Sequence, residues 1–198
     1  MKFKFEIKDL FKLPNILCYI RIALVPLFLY LYFTAMEPKD YYIATLVVLL
    51  SGITDFLDGQ IARRCNMITD LGKIIDPVAD KLMQFAMLIA LTFNIKYMYI
   101  LAIYLVIKEV VMALMGFCVM KKAEKRLNGA KWYGKVCTAV LYVCMLALVA
   151  FPDMLSAYQM IIMLICAAVL TLAFVMYIRL YIIMLKDDRL GNHDKSLY

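Results

Sequence analysis

Apolar runs of about twenty residues recur along this chain from end to end, and they decide what it can fold into. A stretch of that length crosses the hydrocarbon core of a bilayer as a helix, whose backbone hydrogen bonds all close within the segment. Two thirds of the 198 residues are hydrophobic (66%), well above the half usual for a water-soluble domain. The expected fold class is therefore an all-α integral membrane protein with six transmembrane helices. The spans are read at about Asn15–Met36, Asp40–Arg64, Thr69–Phe93, Lys96–Met120, Ala130–Phe151 and Ser156–Leu185. Residues 1–198 form one membrane domain, with no repeat, linker or low-complexity run to divide it.

The ends differ from the middle. Over Met1–Lys12, four lysines alternate with Phe3, Phe5, Ile7, Leu10 and Phe11. This pattern predicts a short amphipathic interfacial helix over 1–13, lying on an anionic membrane surface, rather than a secretory signal. From Lys186 to residue 198 the chain is a polar tail. Arg63, Arg64, Lys121, Lys122, Lys125, Arg126 and Lys131 fall in one set of connections, and the alternate connections are short and poor in positive charge. The positive-inside rule then places both termini in the cytoplasm of a multi-pass cell-membrane protein. A formal charge of +7 would suit nucleic acid in a soluble protein. Here it reads as loop lysines facing anionic lipid, with no nucleic-acid partner. The six cysteines lack Cys-x-x-Cys spacing and read as packing residues rather than soft-metal ligands or a disulfide framework.

Against this background one segment stands out. Ser51–Gln84 holds five aspartates, two arginines and two lysines. Asp55, Asp58, Gly59, Ala62 and Arg63 share one helical stripe at the end of the second span, and Gly72, Asp76 and Asp80 share another at the start of the third. A short cytoplasmic turn joins the two helices, so four carboxylates are expected to face one another near the inner membrane surface. An aspartate at the centre of a span costs about 2.5–3.5 kcal/mol, and four like charges repel as well. Arg63 alone does not balance them, whereas hard divalent cations with oxygen ligands do. Two such cations, Mg²⁺ or Mn²⁺, can clamp a phosphoryl group between attacking and leaving oxygens. Gly59 and Ala62 leave room for a diphosphate beside the helix backbone, and Arg63 offers it a planar, permanent charge. Asp70 falls off both stripes and reads as a first-turn acid behind Thr69 as N-cap.

The pattern Asp55-x₂-Asp58-Gly59-x₂-Ala62-Arg63-x₈-Gly72-x₃-Asp76-x₃-Asp80 resembles the signature of the CDP-alcohol phosphatidyltransferases, with eight fixed residues over twenty-six positions all matched. The resemblance implies that an acceptor hydroxyl attacks the β-phosphorus of a CDP-linked lipid such as CDP-diacylglycerol and that CMP leaves. It implies Asp55, Asp58, Asp76 and Asp80 as metal ligands, with Asp80 also the general base. Gly59 and Arg63 would contact the diphosphate, and Asn15, Ala62, Thr69 and Gly72 would complete the CDP-lipid pocket. A homodimer is implied too.

The acceptor is less constrained. "LPNILCYIRIALVP" and "TDLGKIIDPVADKLM" look most like phosphatidylglycerophosphate synthases, whose acceptor is glycerol 3-phosphate. Arg21, Lys108 and Lys135 are then candidate acceptor-binding cations, although Arg21 lies near enough to the surface to snorkel, and Lys108-Glu109 reads equally as a local pair. Such synthases commonly show Arg-Glu where this chain has Lys108-Glu109, an arginine near Leu114-Met115-Gly116, and a second lysine where Cys137 stands. With fewer cations, phosphatidylglycerol (a cardiolipin synthase), inositol phosphate or a neutral alcohol stay open as acceptors. A cation transporter would spread its acids over several helices near the midplane, and a non-catalytic binding protein would lack a motif aspartate. Neither fits.

Overall fold

A computed structural model describes residues 12–64, 72–122 and 132–189. The expected interfacial helix, Cys65, Thr69, Asp70 and the end of the polar tail lie outside them. Within the described residues the chain is all helix: α1 Leu13–Thr34, α2 Pro38–Arg64, α3 Gly72–Asn94, α4 Met98–Lys122, α5 Trp132–Ala150 and α6 Ser156–Arg189. Four of these contain segments long and apolar enough to cross a membrane: Leu13–Thr34, Pro38–Ile61, Met98–Val119 and Ser156–Met184. Large apolar side chains such as Leu46, Leu50, Ile53, Phe56, Phe117 and Leu164 lie exposed along them. Surfaces this apolar are stable facing lipid and would aggregate in water. The protein is a multi-pass membrane protein.

Local sequence explains most helix ends. Pro14 sits in the first turn of α1, where a missing N–H goes unused. The Asp40 carboxylate accepts from the backbone N–H groups of Met36 and Glu37, both at 3.0 Å, tying the α1–α2 connection. α4 starts at Met98, two residues later than the sequence predicts, because Tyr97 adopts φ 68° and breaks the helical path after α3. α6 continues to Arg189, past the predicted end at Leu185, since none of residues 186–189 is a proline or glycine that would stop the helix.

The described chain divides into two compact units: Met1–Lys96 with Met145–Met154, and Tyr97–Cys144 with Leu155–Tyr198. In the first, α1 packs extensively against both α2 and α3, while α2 and α3 touch each other far less. The short acidic turn therefore does not make α2 and α3 each other's main partner, because α1 is the platform for both. Each helix contributes a buried stripe: Asn15, Cys18, Arg21, Phe28 and Tyr32 on α1; Ala44, Val48, Ser51 and Asp58 on α2; Ala79, Met83, Ala86 and Ala90 on α3. Small residues let the backbones approach, and van der Waals packing replaces the hydrophobic effect inside lipid. At the α1–α2 connection end of the stripes an aromatic cluster locks the three helices together. Tyr32 packs edge-on against Tyr41 with centroids 5.2 Å apart, Phe33 against Phe93 at 5.3 Å, and the Asn94 amide donates to the Tyr32 hydroxyl at 3.0 Å.

In the second unit α4 packs on α6. Val119, Tyr181 and Met184 are buried, with Met112, Met115, Tyr177 and Leu180 packed against them. Met112, Met115 and Met184 are packing residues here. The hydroxyls of Tyr104 and Thr171 bond across the two helices at 2.8 Å.

Candidate active site

The buried stripes of α1, α2 and α3 turn polar together at the end away from the aromatic cluster. Asp55 and Asp58 continue the α2 stripe by helical spacing, Asp76 and Asp80 open the α3 stripe, and α1 brings Cys18 and Arg21 against them. Arg21 is fully buried and does not snorkel. Its Nη2 donates to Asp58 Oδ2 at 2.5 Å. Its Nη1 lies 2.7 Å from Asp55 Oδ1 and 3.7 Å from Asp76 Oδ1, ion pairs without good hydrogen-bond alignment. One guanidinium thus gathers carboxylates from two helices.

Sequence reading placed Arg63 beside the acids, insufficient alone to balance them, and named Arg21 as a candidate acceptor cation. The structure sets Arg21 inside the acid set, because α1 packs against both α2 and α3. Ala62 and Arg63 lie in the last turn of α2, and their side chains are outside the described set.

Burial differs among the acids. The Asp58 side chain is 2% exposed, while those of Asp55 and Asp76 are nearly half exposed. Asp58 Oδ1 has no hydrogen-bond partner, a costly arrangement for a buried carboxylate oxygen. Asp80 is half-buried and within electrostatic range of Asp55, Asp76 and Arg21. Gly59 is half-buried, and a methyl group built on it would meet no atom within 4 Å. There is open space at that face of α2. Asn15 is also buried on α1, and Gly72 opens α3.

Sequence reading missed Cys18. Its sulfur lies 3.1 Å from Asp76 Oδ1 and 3.6 Å from Asp58 Oδ2, so it lines the acid set instead of merely packing. The signal available was position: Asn15, Cys18 and Arg21 recur at intervals of three, which places them on one face once α1 is known to be central. The other proposed cations belong to the second unit. Lys108 belongs to the second unit, where its Nζ pairs with Glu109 Oε1 at 3.0 Å, the local pairing that the sequence left open. Lys135 lies in α5 of the same unit, with its side chain outside the described set.

Residues 11–185 match the CDP-alcohol phosphatidyltransferase family. The chain belongs to that family. It is accordingly a phospholipid-synthesising transferase of the CDP-alcohol phosphatidyltransferase type, and divalent-cation dependence is general in this family. Its relatives include the CDP-diacylglycerol–glycerol-3-phosphate 3-phosphatidyltransferase of Haemophilus influenzae, 29% identical over 164 residues that cover 82% of this chain and 88% of the relative. The enzyme of the same name from Escherichia coli K12 is 27% identical over 164 residues, covering 82% and 90%. A cardiolipin synthase (CMP-forming) of Streptomyces coelicolor is 45% identical over 84 residues, 41% of this chain and 39% of that protein.

The chemistry of the CDP-alcohol phosphatidyltransferase site can be tested against the residues present. Asp55, Asp58 and Asp76 offer hard oxygen donors from two helices to one neighbourhood, and the unpartnered Oδ1 of buried Asp58 is a natural ligand position. The donor set fits divalent cations.

Proposed function

We propose that this enzyme transfers the phosphatidyl group of CDP-diacylglycerol to glycerol 3-phosphate, forming phosphatidylglycerophosphate and releasing CMP. The observation that carries the acceptor is the extent of likeness. Relatives bearing that activity in their names align over four fifths of the chain, whereas the cardiolipin synthase aligns over two fifths. The convergence of Asp55, Asp58 and Asp76 supports the reaction.

In this reading Asp55, Asp58, Asp76 and Asp80 hold two divalent cations, Mg²⁺ or Mn²⁺. Bound there, such ions supply positive charge to the diphosphate and acidify an acceptor hydroxyl. The chain's own residues do the rest. Asp80 accepts the proton of the acceptor hydroxyl as that oxygen bonds to the β-phosphorus and the bond from phosphorus to the CMP oxygen breaks. Arg63 meets the diphosphate oxygens with a planar pair of donors, and Gly59 and Ala62 leave the helix face clear for it. Asn15, Thr69 and Gly72 shape the nucleotide end of the pocket. Lys108 and Lys135 remain the candidate cations for the acceptor phosphate. Arg21 serves as the fixed counter-charge of the acids.

The membrane setting follows the same reading. All six helices cross the bilayer: even α5, at 19 residues, rises about 28 Å, close to the hydrocarbon thickness of about 30 Å. The segment over 1–13 lies at the interface, both termini are cytoplasmic, the site opens at the cytoplasmic face, and the enzyme works as a homodimer. CDP-diacylglycerol then keeps its acyl chains in lipid while its headgroup reaches the aspartates.

The test is an acceptor screen. Purified enzyme with CDP-diacylglycerol and Mg²⁺ is expected to release CMP with glycerol 3-phosphate and not with phosphatidylglycerol, inositol phosphate, inositol or serine. The cardiolipin synthase reading rests on the higher local identity to the Streptomyces protein and on Cys137 standing where a lysine is expected. CMP release with phosphatidylglycerol alone would replace the first reading with the second.

A further inference from the structure

Among the described residues, Cys18, Asp58 and Asp76 bring one sulfur and two carboxylate oxygens within 4.8 Å of one another. We propose that these three side chains form a site for a thiophilic divalent cation, such as Zn²⁺ or Cd²⁺. The proposal rests on the reading of Asp58 and Asp76 as cation ligands and adds to it a sulfur donor from α1.

The geometry suits one ion. Ligand atoms around a tetrahedral ion with bonds of about 2.0–2.3 Å sit about 3.3–3.8 Å apart. Cys18 Sγ lies 3.1 Å from the Asp76 oxygen and 3.6 Å from the Asp58 oxygen. Cys18 does not stand alone, since Asp58 is equally buried and its Oδ1 has no hydrogen-bond partner. Cys18 faces Oδ2 of that carboxylate, which Arg21 Nη2 also holds, and Oδ1 is the oxygen without a hydrogen-bond partner. The Asp76 side chain is 43% exposed, which gives the ion a way in.

Charge and softness both favour such an ion. On binding, the Cys18 thiol gives its proton to water and the sulfur bonds the metal as thiolate. The ion's two positive charges and the one of Arg21 then offset most of the charge on the thiolate and on the carboxylates of Asp55, Asp58 and Asp76, which Arg21 alone leaves in excess. Mg²⁺ gains nothing from sulfur, whereas Zn²⁺ and Cd²⁺ prefer it. An ion held this way occupies Asp58 and Asp76 and so blocks transfer.

Cadmium is the probe, because its thiolate bonds absorb in the ultraviolet. The full chain in detergent is titrated with Cd²⁺ beside Cys18→Ser, Cys18→Ala and Asp58→Asn variants whose helical content is checked by circular dichroism. The wild-type signal minus that of either Cys18 variant cancels the other five cysteines. This difference should saturate at one ion per chain, weaken at least about tenfold in Asp58→Asn, and fall when excess Mg²⁺ competes. Identical absorption in wild type and both Cys18 variants overturns the proposal, as does a difference signal indifferent to Asp58→Asn. A parallel Mn²⁺ titration keeps the two readings apart. Mn²⁺ binding that is lost in Asp58→Asn while no cadmium difference exists removes the thiolate site only. Mn²⁺ binding that survives both Asp58→Asn and Asp76→Asn, with no cadmium difference, removes both.

Discussion

Arg21 is the residue on which the acid set turns. It is fully buried and pairs with Asp55, Asp58 and Asp76 at once. Removing one partner from a buried ion pair costs about 3–5 kcal/mol, because the charges left behind lose compensation. Arg21→Gln should therefore lower thermal stability by about that much in EDTA, and added Mg²⁺ should restore part of it by giving the carboxylates another positive charge. A variant as stable as the wild type in EDTA would show that the pairing does not matter. Asp80 makes a different prediction. If it is the base, as proposed, it contributes to transfer but not to holding the fold, so Asp80→Asn should lose about 10²–10⁴-fold in CMP release with an unchanged melting temperature. Full activity in that variant would remove Asp80 from the role.

At the scale of elements, fit between helices does what sequence pattern alone does not describe. Gly134 of α5 is such a point. A Cβ there would overlap the Tyr177 hydroxyl of α6 and come within 2.9 Å of Tyr177 Cζ. Overpacking of this kind costs about 1–3 kcal/mol. Gly134→Ala should destabilise the protein by that order in thermal melts, and adding Tyr177→Leu should recover part of the loss by vacating the space. A neutral Gly134→Ala would show that Tyr177 swings aside freely. The same reasoning explains α1, α2 and α3. Ala44, Ala79, Ala86 and Ala90 permit close approach, and the Tyr32–Tyr41–Asn94 cluster ties the opposite end. Held close along their length by this packing, the three helices bring their polar ends together.

For the molecule as a whole, the prediction concerns orientation. If both termini are cytoplasmic, as proposed, the connections near Asp153 and Lys96 face outward and the acid set inward. In a background with the native cysteines replaced by serine, Asp153→Cys should react with a membrane-impermeant maleimide in intact cells, and Lys12→Cys only after the membrane is opened. The reverse pattern would invert the topology and take the site away from the cytoplasmic face. The division into two units also matters here. The four aspartates belong to the first unit, and Lys108 and Lys135 belong to the second, so acids and candidate acceptor cations are carried by separately packed parts of one chain.

The sequence by itself determined the helices and their approximate ends, because apolar run length and proline placement are local properties of the chain. It determined the acid motif for the same reason: Asp55 to Asp80 span a short stretch whose helical spacing can be read directly. Tyr97 moved the start of α4, since a positive φ at a tyrosine leaves no mark in composition. Only the tertiary structure decided what faces the acids. Arg21 reaches Asp58 across 37 residues of chain, and Cys18 reaches Asp76 across 58. No periodicity within a segment encodes which helix lies between two others. That α1 does so here follows from the mutual packing of three stripes, and it places the guanidinium of Arg21 and the thiol of Cys18 beside acids that spacing alone had grouped only with Arg63.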